Sequence, residues 1–312
     1  MTTSAPLFNR LALIGVGLIG SSIARAARTQ GAVREIVASA RSAATRRRVA
    51  ELGLADQVVE TNEAAAAGAD LVIVCAPVGV CGEVAAEIGP HLAQGAIVSD
   101  VGSVKGAVLR DMAPHLPAGV HFVPAHPVAG TENSGPDAGF AGLFVGRWCI
   151  LTPPDGADAA AVEKLAAFWR ALGANVETMP ASHHDLVLAI TSHVPHLIAY
   201  NIVGTAADLE EVTRSEVIKF SAGGFRDFTR IAASDPTMWR DVFLHNKDAV
   251  LEMLGRFSED LTALQRMIRR GDGEGLFELF TRTRAIRRGI VELGQETGAP
   301  DFGRRAAQEG EG

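Results

Sequence analysis

The chain is predicted to be an α/β protein, with a doubly wound, mainly parallel sheet over residues 1–180 followed by an all-helical domain over 181–312. Three observations carry this. The run Arg10 to Gly20, RLALIGVGLIG, passes from apolar sequence through closely spaced glycines into helix-compatible sequence. Further short apolar runs alternate with alanine-rich stretches as far as Pro180, the pattern of parallel strands with helices on both faces. Beyond Pro180 the strand-like runs cease and long amphipathic segments take over.

After the first strand and the helix from Ser21 to Gln30, strands are expected at Glu35 to Ser39, Leu71 to Ala76, Ala96 to Asp100, Val120 to Pro124, Trp148 to Thr152 and Val176 to Met179. Helical stretches such as Arg46 to Leu52 and Val80 to Ile88 lie between them. In the second half, helices are expected from Ser182 to Leu209, from Pro236 to about Arg270, and from Gly275 to Leu293 after the GDGEG break. In the second of these, Trp239, Phe243, Val250, Leu254, Phe257 and Leu261 recur at spacings of three, four or seven. The tail from about Phe302 is expected to be disordered.

Bulk composition narrows the partners. With 312 residues and 47% hydrophobic content the chain can build a core in each domain. A net charge of -7, from 29 basic and 36 acidic side chains with no long basic block, speaks against nucleic acid. Cys75, Cys81 and Cys149 are widely spaced in apolar sequence and read as buried thiols of a reducing compartment. No apolar run reaches the roughly 18 to 20 residues of a membrane span, and MTTSAPLFNR lacks the pattern of a secretion signal. A soluble, cytoplasmic protein is expected, without membrane partners.

Gly15, Gly17 and Gly20 form GxGxxG between a strand and a helix, the Rossmann fingerprint for a dinucleotide. The first glycine makes the turn, the second admits the pyrophosphate and the third lets helix and strand approach, while the helix N-terminus offers free amides to the anion. An NAD site ordinarily ends its second strand on an acidic residue, whereas here the run is IVASARSAATRRR. Arg41, with Ser42 beside it, suits a 2′-phosphate instead. Arg46, Arg47 and Arg48 either add to that charge or form a solvated helix face. NADP is therefore expected to be at least tolerated alongside NAD.

The chemistry-bearing residues fall in three further segments. In FVPAHPVAGTE, His126 stands where an apolar run gives way to a loop, well placed to take a proton from a bound hydroxyl. The strand ending in SDVGSVKG brings Ser99, Asp100, Ser103 and Lys105 near the carboxyl edge of the sheet, where such folds bind ligands. Ser103 there either orients an imidazole and touches the cofactor or caps a helix. In SHVPH, Ser192, His193 and His196 share neighbouring helix faces, with Pro195 bending the helix and freeing a carbonyl. His196 suits a substrate role; no third ligand accompanies the pair, so no metal is expected. In SAGGFRDFTRIAASD, Arg226 and Arg230 follow a glycine break at Gly223 and Gly224. Either offers a fork for a carboxylate or a bridge to Asp227 or Asp235.

Taken together, GVGLIG, DVGSVKG, HPVAGTE, SHVPH and GGFRDFTRIAASDPTMWRD, in this order, resemble the prephenate and arogenate dehydrogenases of tyrosine biosynthesis, over about Arg10 to Gly294. The resemblance implies oxidative decarboxylation of prephenate, arogenate or both, to 4-hydroxyphenylpyruvate or tyrosine. His126 matches the catalytic histidine and Ser103 the serine that supports it and the cofactor. Ser192, His196, Gly223, Asp227 and Arg230 match substrate-site positions, Arg230 as the carboxylate binder, and Glu132 an acidic residue at the pocket mouth. Cofactor contacts are expected from Gly15, Gly17, Leu18, Ile19, Gly20, Arg41, Ser42, Ala76, Pro77 and Ser103. No chorismate mutase or C-terminal regulatory domain of the kind some relatives carry is expected, and the long apolar helix faces after Pro236 suggest a homodimer. Two other classes fit less of the sequence. A dehydrogenase of the same layout acting on a β-hydroxy acid or an imine would not need HPVAGTE followed by SHVPH, and a non-catalytic nucleotide sensor would need only the first half.

Overall fold

The computed structural model describes residues 5–131, 133–213, 219 and 222–292. Glu132, Ser221 and the tail from Phe302 lie outside the described residues. Six strands form the main sheet: β1 (Phe8–Ile14), β2 (Val33–Ser39), β3 (Gln57–Val59), β4 (Leu71–Val74), β5 (Ile97–Asp100) and β6 (His121–Phe122). Their order is β3-β2-β1-β4-β5-β6, and every pair is parallel. Strand order reverses between β1 and β4, so the crevice for a ligand opens at the carboxyl ends of these two strands. Ile14 and Val74 end them in register.

The apolar runs become central strands because both faces are covered. Leu11 and Leu13 point into one buried cluster with Ile23, Phe168 and Trp169. Ala12 and Ile14 point into another with Val72, Val74, Val98, Trp239 and Val242. Helices α1 (Leu18–Thr29), α2 (Ala43–Glu51), α3 (Asn62–Ala66), α4 (Cys81–Ile88) and α5 (Lys105–Met112) make the crossovers. The edge strand β3 has no counterpart among the expected strands, since of its three residues, QVV, the first is exposed, the other two are only partly buried, and they carry no periodic apolar signal.

The expected strands near 148 and 176 do not extend this sheet. β7 (Ala125–Pro127), β8 (Trp148–Leu151) and β9 (Asn175–Thr178) form a second, three-stranded sheet, with β7 antiparallel to β8. The chain leaves the main sheet at Pro124, which has no amide to continue the ladder. Val123 N–H still reaches Val98 O at 2.9 Å, but the next amide, Ala125, goes to the Asp100 carboxylate. Helix α6 (Ala159–Ala171), capped by Asp158 on Ala161 N–H at 2.8 Å, connects β8 to β9.

Helices follow: α7 (Ala181–Leu188), a π-helical turn Ala189–His193, α8 (Val194–Thr213), α9 (Gly223–Thr229), α10 (Pro236–His245), α11 (Lys247–Arg270) and α12 (Gly273–Glu292). The π turn sits just before Pro195, which cannot supply an amide to the ladder. The single helix expected from Pro236 to Arg270 breaks at Asn246. Against expectation, Ala181–Asp208 is long and apolar enough to cross a membrane by length and composition. It nonetheless buries His184, Asp185 and His193, groups costly in hydrocarbon. By compactness the chain divides into Met1–Val250 and Leu251–Gly312, whereas residue 180 marks the change from alternating to helical elements.

Candidate active site

The turn after β1 has the shape a dinucleotide needs. Gly15 has φ +92°, and a Cβ there would stand 2.8 Å from Cys75 O, so neither backbone nor space admits a side chain. A Cβ on Gly17 would meet nothing within 4 Å, which leaves that face open to an approaching ligand. A Cβ on Gly20 would lie 2.5 Å from Gly15 O, so the third glycine lets α1 close onto the turn. Gly17 caps α1 without any side-chain bond, and the first-turn amides at Leu18 and Ile19 stay available to an anion. Ala76 and Pro77 follow β4 beside this turn, Ala76 N lying 3.7 Å from the same notional Gly15 Cβ. These residues fit a dinucleotide.

At the end of β2 no carboxylate appears. Ser42 accepts Thr45 N–H at 3.0 Å as the cap of α2. Arg46 donates to Ala40 O and Arg41 O at 2.8 and 3.1 Å, bracing the loop from inside. Arg48 pairs with Asp137 and Glu51. The Arg41 side chain is exposed and its guanidinium bonds to no described residue, its carbonyl alone being engaged by Arg46.

His126 is buried in the middle of β7. Its Nδ1 lies 2.8 Å from Nε2 of His184, whose Nδ1 lies 2.8 Å from Asp185 Oδ1. Asp185 also accepts the first two amides of α5, Lys105 N–H and Gly106 N–H, each at 2.8 Å. The helix is thus capped from α7 rather than by Ser103, whose half-buried hydroxyl bonds to no described residue. Ser103 and His126 are not hydrogen-bonded to each other; His184 is the partner of His126 Nδ1.

Beneath His126, Asp100 and Lys105 form an ion pair at 2.5 Å with both side chains 0% exposed. Lys105 Nζ also donates to Ala125 O at 2.7 Å, while Asp100 accepts Ala125 N–H at 3.2 Å and Gly102 N–H at 2.7 Å. The pair clamps both backbone groups of the residue before His126. Ser99 is fully buried under the site.

On the helical side, Asn246 Nδ2 donates to Asp185 O at 2.9 Å and lies 3.1 Å from His193 Nδ1. The helix break at Asn246 thereby acquires a reason, since it delivers this amide to two other elements. His193 meets Trp239 edge-on, and Trp239 stacks on His196 with ring centroids 3.6 Å apart. His196 Nδ1 lies 2.8 Å from Ser192 O, which fixes its ring. Ser192 and Arg230 are half-buried, while Gly223 and Asp227 are exposed on α9. Asp235 is taken as the cap of α10, accepting Met238 N–H at 2.9 Å.

Burial sets the protonation of this cluster. It holds His126 well below the usual imidazole range, and positive charge from His184, Lys105 and His193 pushes the same way. His184 is lowered by burial against the opposing bond to Asp185. His193 falls to about 4, again chiefly by burial. His196 is lowered by burial, with the Arg230 charge adding to it. Neutral imidazoles, able to accept a proton, are the result near pH 7.

The sequence assigns no role to His184, Asp185 or Asn246, and places Trp239 only in the apolar spacing of its helix. The only available signal was HHD at the start of an amphipathic helix, and nothing in that spacing says it faces a strand 58 residues away.

Comparison with known proteins agrees with this picture. The family model described as prephenate dehydrogenase, nucleotide-binding domain, matches residues 23–178, and the one described as prephenate dehydrogenase, dimerization domain, matches 180–282. The cyclohexadienyl dehydrogenase of Zymomonas mobilis is 42% identical over 281 residues, covering 90% of this chain and 96% of that protein. The prephenate dehydrogenase of Bacillus subtilis is 34% identical over 291 residues, covering 93% and 78%. The crystal structure of prephenate dehydrogenase from A. aeolicus in complex with hydroxyphenyl propionate and NAD+ superposes with a TM-score of 0.84 at 33% identity, covering 90% of this chain and 98% of that one. A glycine turn built for a dinucleotide, a buried neutral histidine at the sheet edge and two matched domains lead to one conclusion: the chain belongs to the prephenate dehydrogenase family.

Proposed function

We propose that this enzyme oxidatively decarboxylates prephenate, arogenate or both, yielding 4-hydroxyphenylpyruvate or tyrosine. The observation that carries the reading is His126, a buried imidazole kept neutral by its surroundings, connected through His184, Asp185, Asn246, His193 and Trp239 to the His196 and Arg230 side. A nicotinamide cofactor supplies the hydride acceptor. His126 takes the proton of the ring hydroxyl as hydride leaves the carbon that bears it. The bond to the ring carboxylate then breaks, its electrons complete the aromatic ring as carbon dioxide leaves, and the proton held by His126 returns to the phenolic oxygen. Aromatisation supplies most of the driving force, so the protein has mainly to position and deprotonate.

Within this reading Arg230 binds a substrate carboxylate, His196 and Ser192 line the site, Ser103 touches the hydroxyl and cofactor, and Gly223, Asp227 and Glu132 border it. The functional division between cofactor and substrate domains falls at residue 180. Arg41, exposed beside the uncharged end of β2, supports acceptance of NADP as well as NAD. Leu186, Ile190, Ile202 and Val203 are 38–46% exposed, which supports a homodimer over this helical run.

Absorbance at 340 nm with each pairing of prephenate or arogenate with NAD or NADP tests the proposal. Turnover is expected with at least one pairing, and His126→Asn is expected to lower it by about 10² to 10⁴. No reduction of either cofactor by either substrate would remove the reading.

A further inference from the structure

We propose that His184 and Asp185 are positioning residues that dictate the tautomer of His126, placing its proton on Nδ1 and leaving Nε2 as the lone-pair nitrogen. The inference rests on the reading of His126 as the base. Its logic starts at Asp185. Oδ1 receives Lys105 N–H and Oδ2 receives Gly106 N–H, and an amide nitrogen can only donate, so both carboxylate oxygens are acceptors. Oδ1 can therefore meet His184 Nδ1 only if that nitrogen carries hydrogen. A neutral His184 protonated on Nδ1 has a bare Nε2. That nitrogen sits 2.8 Å from His126 Nδ1, so His126 must supply the hydrogen, and its remaining nitrogen, Nε2, is bare.

One ring alone would not decide this, since a neutral imidazole has two tautomers. Two rings in series inherit the choice from the carboxylate, and the carboxylate is locked by the amides of α5. The arrangement also answers for the charge that follows proton uptake. The imidazolium at His126 would stand among His184, Lys105 and His193, and Asp185 supplies an opposing carboxylate through His184. No proton has to leave the network. Because α5 follows directly on the Ser103 loop, the same carboxylate ties the position of that loop to the state of His126.

The test is imidazole nitrogen NMR on the full chain labelled at histidine, together with steady-state kinetics. In the wild type at pH 7.5, His126 is expected to show a protonated Nδ1 and an unprotonated Nε2; the reverse assignment overturns the proposal without recourse to any variant. In His184→Leu, kcat is expected to fall about 10²-fold with KM within about threefold, because binding contacts are untouched. His184→Gln, whose carbonyl can still accept from Nδ1–H, is expected to recover at least about tenfold of that loss. A His184→Leu enzyme within about threefold of wild-type kcat overturns the relay. His126→Asn in the same assay separates the two ideas. If it keeps full turnover, the base assignment itself fails; if it is inactive while His184→Leu is not, only the relay fails.

Discussion

Lys105→Met removes the cation from a buried ion pair and leaves its length of side chain in place. Lys105 and Asp100 are both 0% exposed and 2.5 Å apart. A methionine of similar volume keeps most of the packing. What remains is a carboxylate with two amide donors and no counter-charge, for which the loss is about 3–5 kcal/mol. Ala125 O, deprived of its donor, adds about 1 kcal/mol. Against the usual total of about 5–15 kcal/mol for a domain, the variant should stand close to the limit of folding. Urea denaturation by linear extrapolation measures the difference, with the m value unchanged if only stability moves. Adding Asp100→Asn removes the stranded charge, and the double variant should recover about 2 kcal/mol over Lys105→Met alone. Since the pair clamps Ala125, one residue before His126, kcat should fall with stability in the single variant. A loss under about 1 kcal/mol in Lys105→Met, or a double variant weaker than the single, would refute the claim that the buried charge is what the lysine neutralises.

Acid should weaken the fold ahead of ordinary carboxylate titration. His193 has a usual value of 6.5 lowered to about 4, so its contribution is present above pH 6.5 and is lost as pH falls towards 4. In that window the unfolded chain binds a proton that the folded chain refuses, and the full loss is about 3 kcal/mol. His126, His184 and His196 are shifted the same way; unfolding free energies that stay flat from pH 7 to 5 would contradict this. Gly15→Ala forces a side chain into φ +92° and to within 2.8 Å of Cys75 O, at a backbone cost of about 1–2 kcal/mol before the clash. Weaker binding of reduced cofactor in a fluorescence titration, with a lower Tm, is the expected result, and wild-type binding would discount the turn. Arg41→Ala should raise KM for NADP by about tenfold or more while leaving that for NAD nearly unchanged; an equal effect on both would take the 2′-phosphate away from Arg41.

Much of the nucleotide half was legible because its signals are local. The GxGxxG spacing, the continuous apolar strands and the absence of an acid after β2 are each contained within one element and its turn. His126 was legible because it interrupts an apolar run just before a proline. The smaller sheet was not, because whether a short apolar strand joins one sheet or another depends on which partner edge is free, and Pro124 settles that only once β5 and Asp100 are in place. The helix break at Asn246 has no signal along the chain because the apolar spacing runs through it.

What the amino-acid order determined was therefore the class of fold and the dinucleotide turn, since backbone sterics and periodicity act over a few residues, and, through its resemblance to a family, which chemical groups to expect. What tertiary structure alone decided was how those groups are connected. His126 and His184 are 58 positions apart, Asp185 and the α5 amides about 80, and Asn246 reaches back 61 to Asp185. A hydrogen bond needs its partners within about 3 Å, and no pattern along the chain specifies which distant donors and acceptors will share a buried space where each must find a partner.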